Sequence, residues 1–211
     1  QYLQGFCALG CDVLYLEDTG QWVYDPEAQT FTADLAANAR WLESALSFLD
    51  PTLSRGWAVR GPDGVLYGRD EADVARFCAG TDLFLNLSGS CWLREPYRAA
   101  KVKAYVDTDP GYSQSRIAAV DAGTADDDTR FSVDLIRRHD VFFTLGENIG
   151  APDCAIPTCG ITWHPTRQPI ALANWPMHPA PDGAPFTTVM SWKIEPTAPV
   201  FGGRRYGGKD V

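Results

Sequence analysis

The chain has 211 residues, of which 45% are hydrophobic and 21% charged, the balance of a globular domain rather than of a disordered or fibrous chain. Its net charge of -9 and pI near 4.7 exclude an extended nucleic-acid surface, which needs clustered Lys and Arg against phosphate, and leave only local basic clusters to hold a small anion. No apolar stretch approaches the length of a membrane span and no secretory leader opens the sequence, so a cytoplasmic setting is expected.

In chain order, "QYLQGFCALG" at residues 1–10 reads as a helix with Gly10 as its C-terminal cap. "DVLYLED" is a short run of β-formers and predicts a buried strand. From residues 34–50 the period turns helical: Leu35, Ala39, Leu42, Leu46 and Leu49 share a face, Asp34 can cap, and Pro51 blocks continuation. "GWAVRG" predicts a second strand, followed by a Pro-Asp-Gly turn at residues 62–64. Asp70 then opens a short helix with Val74, Phe77 and Cys78 facing inward.

"DLFLNLSG" is apolar nearly throughout, as a strand covered on both faces should be, and "VKAYVD" repeats the theme. A helix is expected over residues 113–120, then another, capped by Asp128 or Thr129, running to Arg138 and into "VFFTLGENIG". Strand and helix alternate, which predicts a mostly parallel, Rossmann-like α/β sheet with helices on both faces. Beyond Gly150 the character changes. Ten of the fifteen prolines fall at residues 152–199, which excludes long helices there, and "TTVMSW" is the one strand this part predicts. Trp163, Trp175, Trp192 and Trp57, should it fold back, are candidates to line a common surface or core.

Six cysteines are spread along the chain and are expected as reduced thiols rather than disulfides. Cys154, Cys159 and His164 lack the C-x₂-C spacing of common zinc sites, so no metal is expected there. Opening inside a helix and closing on "GGRRYGGKDV", the chain is expected to be truncated at both ends.

Ligands of parallel sheets gather at the carboxyl ends of the strands. Four such ends are polar here: Asp18, residues 86–90, residues 107–109 and residues 146–150. Asp107-Thr108-Asp109 fits the D-x-D pattern that bridges a divalent metal to a diphosphate. It fits equally a turn in which Asp109 caps the next helix and Asp107 accepts backbone N–H bonds. Glu147, followed by Asn148, is either a base or sugar-binding carboxylate or a loop residue satisfied by amides. His164, beside Trp163 and close to Arg167, suits a sugar or phosphate pocket, although a His before Pro in a loop is also a common structural residue. Arg204, Arg205 and Lys209 lie among glycines without P-loop spacing and form an anion-binding loop, a hinge or a tail.

Taken together, "DVLYLEDTG", "LFLNLSGS", "YVDTDPGYSQ", "HDVFFTLGENIG", "GITWHPTRQPI" and "YGGKD", in this order over nearly the whole chain, resemble bacterial glycosyltransferase-like proteins of the two-domain GT-B type. The resemblance implies that residues 1–211 are a single acceptor-side Rossmann-like domain, with residues 193–211 leading into a second domain that holds most of the nucleotide-sugar site. It implies no metal at Asp107 and Asp109, since GT-B enzymes offset diphosphate charge with a helix N-terminus and basic groups, and no cofactor. Partners would be a nucleotide-sugar donor and an unidentified acceptor. Asp109, Glu147 and His164, in that order, are the candidate bases. Asp107, Gln114, Asn148 and Arg167 would bind substrate, and Arg204, Arg205 and Lys209 donor phosphate. Two rivals stand beside this reading: a non-catalytic sugar- or nucleotide-binding module, and a metal-dependent enzyme using Asp107 and Asp109.

Overall fold

The computed structural model of the chain describes residues 1–189 and 199–206. Helix α1 (Tyr2–Ala8) ends as its sequence predicts: Gly10, at φ 78°, donates to the Cys7 carbonyl and Cys11 to the Phe6 carbonyl, the paired bonds of a left-handed glycine stop. Strand β1 (Tyr15–Glu17) follows. Next comes a hairpin of β2 (Val23–Asp25) and β3 (Thr30–Thr32), which the hydrophobic pattern does not announce. Helix α2 (Ala36–Leu49) buries Leu35, Ala39 and Leu46. Asp34 is not its cap: Leu35 occupies that position with no side-chain cap bond, and Asp34 Oδ1 accepts from Ala36 N, at 2.9 Å. Leu49 departs from the expected buried face and is 41% exposed. Pro51 begins a short 3-10 turn whose first amides are held by Asp50.

Strand β4 (Trp57–Arg60) pairs parallel to β1 and antiparallel to β5 (Leu66–Gly68), across the predicted turn at residues 62–64. Gly68 is required there. It stands at φ 84°, and a Cβ would lie 2.4 Å from the Trp57 carbonyl oxygen, on the backbone of a buried residue that cannot give way. Gly68→Ala is expected to lower stability by roughly 2–4 kcal/mol, the sum of left-handed strain and overpacking, measured as a lower urea midpoint with unchanged slope. An unchanged midpoint would show that β5 shifts without cost.

Helix α3 (Glu71–Gly80) starts at Asp70, whose Oδ1 accepts from Asp73 N at 2.8 Å, and buries Val74 and Cys78. Phe77 is only half-buried, lying beneath the Arg69 guanidinium. Four strands then pair in parallel and in chain order: β6 (Leu83–Leu87), β7 (Val102–Asp107), β8 (Val141–Thr144) and β9 (Trp163–Pro165). Between β7 and β8 run α4 (Tyr112–Asp121) and α5 (Asp127–Arg137). The cap of α5 is Asp126, not Asp128 or Thr129: Thr129 supplies the amide that Asp126 Oδ1 accepts, at 2.8 Å. The chain is thus a mixed α/β fold with a four-stranded parallel sheet flanked by helices.

Two apolar clusters position the sheet. Ile117 of α4 and Val133 and Ile136 of α5 pack on Tyr105 and Trp163, with Phe142 beside them. Val74, Cys78, Cys91 and Tyr97 meet Ala58, with Phe84 of β6 against them, and so join the first sheet to the second. β6 is not covered throughout as its composition suggests, since Leu83 is 43% exposed.

Strand β9 corrects the reading of the Pro-rich part. Its "WHP" is too short and too proline-bound to announce a strand, yet it pairs with Phe142, Phe143 and Thr144. Within "TTVMSW", residues 187–189 have no regular structure and 190–192 lie outside the described residues. Nor do the tryptophans share a surface. Trp57 is buried with Leu35 and Leu53, Trp163 is buried against Tyr105 and Phe142, and Trp175 is 64% exposed; Trp192 lies outside the described residues. A last hairpin, β10 (Val200–Phe201) with β11 (Arg204–Arg205), buries Phe201. All six cysteines are free thiols, Cys78 and Cys91 buried. Among the described residues no helix is long and apolar enough to cross a membrane.

Candidate functional site at the carboxyl edge of the parallel sheet

Register decides which residues meet. Leu87 pairs with Val106, and Asp107, Thr144 and Pro165 are successive cross-strand partners. The next residues, Ser88, Asp109, Glu147 and Arg167, therefore emerge along one edge, the edge at which parallel sheets bind ligands. Ser88 takes a left-handed φ of 56° and shares a hydroxyl hydrogen bond with Thr108. Arg167 Nε donates to Glu147 Oε1 at 2.6 Å. This exposed bond holds the Glu147 carboxyl below the ordinary glutamate range and raises the Arg167 guanidinium. Asn148 and Asp109 are exposed, as is His164, whose ring lies 5.8 Å from that of Phe143.

Asp107 and Gln114 are not on that surface. Asp107 is 1% exposed and its two carboxylate oxygens accept four protein hydrogen bonds. Oδ1 takes Ser113 Oγ at 2.9 Å and Asp109 N at 3.2 Å; Oδ2 takes Gln114 Nε2 and Thr144 Oγ1, both at 3.0 Å. Gln114, wholly buried, accepts from Gly111 N at 2.6 Å through its other amide atom. Asp107 therefore ties the end of β7 to the start of α4 and to β8. A metal bridging Asp107 and Asp109 would have to displace bonds that already occupy the inner carboxylate. Among the described residues no three His, Cys, Asp or Glu side chains gather as a metal's ligand set.

The basic residues near the end of the chain come close to this region. Pro199 and Phe201 lie against Gly111, at the start of α4, which brings the β10–β11 hairpin alongside it. Arg204 stacks on Tyr206, 5.4 Å from the ring centre. Lys209 lies outside the described residues.

Sequence reasoning named Asp18 as a polar strand end but missed the cluster built around it, at the carboxyl end of the other sheet. Asp18, with no exposed surface, accepts from Arg60 Nε at 3.0 Å, Arg94 Nε at 2.5 Å, Arg94 Nη2 at 2.9 Å and Tyr97 Oη at 2.8 Å. Arg60 continues to Glu71 through two bonds of 2.5 and 2.8 Å. Glu71 first of all, then Tyr97, hold the Arg60 guanidinium firmly charged against its burial, and burial pushes the Tyr97 phenol up. Two carboxylates and two guanidiniums balance in charge, and the cluster joins the sheets. The one signal for it in the sequence is that Asp18 and Arg60 each fall at the end of a predicted strand; that the two strands are adjacent and parallel is decided by the fold.

Two of the hollows among the described residues lie away from this edge. One, of about 130 Å³, lies between Trp92, Phe131 and Leu135; the other, of about 480 Å³, is lined by Gly150, Thr158, Thr162 and Trp163. Neither is lined by Asp109, Glu147, His164 or Arg167; these four side chains stand on an exposed edge. No protein-family model, curated protein or solved structure matches this chain.

Proposed function

We propose that this chain is the acceptor-side domain of a nucleotide-sugar-dependent glycosyltransferase of the two-domain type, and that the carboxyl edge of its four-stranded sheet forms one wall of the cleft. The observation that carries the reading is the exposure of Asp109, Glu147, Arg167 and His164 on neighbouring strand ends, above a buried carboxylate that consists wholly of structural bonds. Exposed carboxylates accept hydrogen bonds from sugar hydroxyls, and guanidinium and imidazole donate to sugar or phosphate oxygens. In the proposed reaction the acceptor hydroxyl oxygen bonds to the anomeric carbon as the carbon–oxygen bond to the nucleoside diphosphate breaks, and the hydroxyl proton passes to a base. Asp109 is the first candidate, because Glu147 is committed to Arg167 and its lowered basicity makes it the poorer acceptor. Glu147 and His164 follow. A cytoplasmic setting belongs to the same proposal.

Backbone amide shifts of the chain, followed while nucleoside diphosphates and monosaccharides are added, test the binding edge. Shifts centred on residues 88–90, 108–109 and 146–148, weakened about tenfold in affinity by Asp109→Asn, are the expected result. Shifts elsewhere, or none with any of these ligands, would remove the edge from consideration. If transfer is measured on the intact enzyme, Asp109→Asn should reduce kcat by 10²–10⁴-fold and chelator should leave the rate unchanged. Binding lost with no turnover under any condition would favour a non-catalytic sugar-binding module.

A further inference from the structure

His139 is 5% exposed, carries no substrate-facing role and lies directly behind the loop that follows β6. Its Nδ1 is 3.0 Å from the Ile136 carbonyl oxygen, which can only accept, so the ring hydrogen is on Nδ1. That leaves Nε2 as a bare acceptor, 3.2 Å from Asn86 Nδ2. Asn86 has no freedom to meet it otherwise. Its Nδ2 also donates to the Cys91 carbonyl at 2.9 Å, and its Oδ1 accepts from Cys91 N at 3.2 Å. One amide side chain thus closes the turn over residues 87–91, and that turn contains two successive left-handed residues, Ser88 at φ 56° and Gly89 at φ 69°. A left-handed non-glycine residue persists only where its surroundings hold it.

We propose that His139 and Asn86 form an acid-sensitive latch: neutral His139 holds Asn86 in the one orientation that closes the 87–91 turn, and a proton on Nε2 releases it. Protonated Nε2 would point a hydrogen at the Asn86 amino group. Relief requires either rotating the Asn86 amide, which breaks both bonds to Cys91, or withdrawing the ring. The released segment carries Ser88 to the carboxyl edge, Trp92, whose amide donates to the Asp18 carbonyl at 2.7 Å, and Arg94, which holds the Asp18 carboxylate. The latch does not depend on what that edge binds.

The surroundings favour the neutral ring. From β6 it faces Asn86, from α5 the Ile136 carbonyl, and from β7 the ring of Tyr105, 5.5 Å away. The nearby charges are Asp140 and Lys103, paired with each other at 2.8 Å. Burial lowers the His139 pKa, and it outweighs the opposing pull of the Ile136 and Leu135 carbonyls and of Asp140. The open form, with an ordinary histidine pKa near ~6.5, then binds the proton that the closed form refuses. The closed state is fully favoured above that pH and loses ground as pH falls below it.

The test is amide hydrogen exchange of the intact chain between pH 7.5 and 5, corrected for intrinsic rates, with the His139 ring nitrogens followed by ¹⁵N NMR. The Cys91 amide should lose protection by up to about tenfold per pH unit below about 6.5, while the Ala104 amide in the middle of β7 keeps its protection. His139→Gln, which has no proton to gain, should abolish the pH dependence at Cys91. Should that variant fail to fold, the wild-type chain alone decides. Loss of protection at Cys91 and Ala104 together would mean acid unfolding and not a latch. A flat Cys91 profile, or a His139 ring that titrates at or above the ordinary value, would equally overturn the proposal.

Discussion

Replacing Asp18 with alanine is expected to lower folding stability by about 3–5 kcal/mol, the cost of breaking a buried ion pair from one side. Asp18 has no exposed surface, and Arg60 beside it is only 9% exposed. Deleting the carboxylate leaves that guanidinium without its central acceptor and leaves the buried Tyr97 hydroxyl hydrogen without one, the Tyr97 oxygen keeping only its bonds from Arg60. Arg94, 40% exposed, can turn to water and contributes less. The loss is therefore set by Arg60 and Tyr97 and not by the count of bonds. Glu71, whose side chain is 61% exposed, provides the contrast: Glu71→Ala should cost at most about 1 kcal/mol. Urea unfolding of both variants measures this directly. Equal effects from the two would mean that the cluster is solvated and that Asp18 is not its centre.

Asp107 and Asp109 should part company in the same experiment. Asp107→Asn is expected to cost roughly 1–3 kcal/mol, because an amide nitrogen must replace one of two oxygens that each accept two hydrogen bonds. Placed at the Oδ2 position it meets the Gln114 amino group, and Gln114 cannot turn over without giving up its bond from Gly111 N. Asp109→Asn, at an exposed position, should change stability by no more than about 0.5 kcal/mol and act on ligand binding and turnover, not on folding. If the pair held a metal, Mn²⁺ at a hundred times its Kd would stabilise the wild type by about 2.7 kcal/mol, and either substitution would abolish the gain. The expected result is no metal-dependent shift in Tm. A shift lost in both variants would restore the D-x-D reading and count against the proposed GT-B type.

Whether the candidate site was legible depended on the distance over which each residue is determined. Asp70 as a helix cap, Gly10 as a helix stop and the turn at residues 62–64 all follow from hydrogen bonds within a few residues. The alternation that predicts a parallel sheet rests on the same local periods. The four polar strand ends were visible for that reason, and Asp109, Glu147 and Arg167 with them.

Burial and partnership lay beyond such rules. Nothing in "VDTD" distinguishes the first aspartate from the second. The packing of α4 and β8 around Asp107 does, by surrounding it with Ser113, Gln114 and Thr144. Asp18 and Arg94 are separated by 76 positions, and Asn86 and His139 by 53, so neither pair has a spacing to recognise. The same holds for β9, whose three residues have too little propensity to form a strand alone and become one because Phe142, Phe143 and Thr144 offer an open sheet edge. By itself, then, the sequence determined the main helices, the turn at residues 62–64 and the alternation of the central strands with helices, since those are set by short-range backbone geometry and hydrophobic period; it did not announce the β2–β3 hairpin or β9. Only the tertiary structure decided which of its charged side chains are buried in the fold and which stay exposed at the strand ends, because that choice is made by desolvation when distant segments pack together.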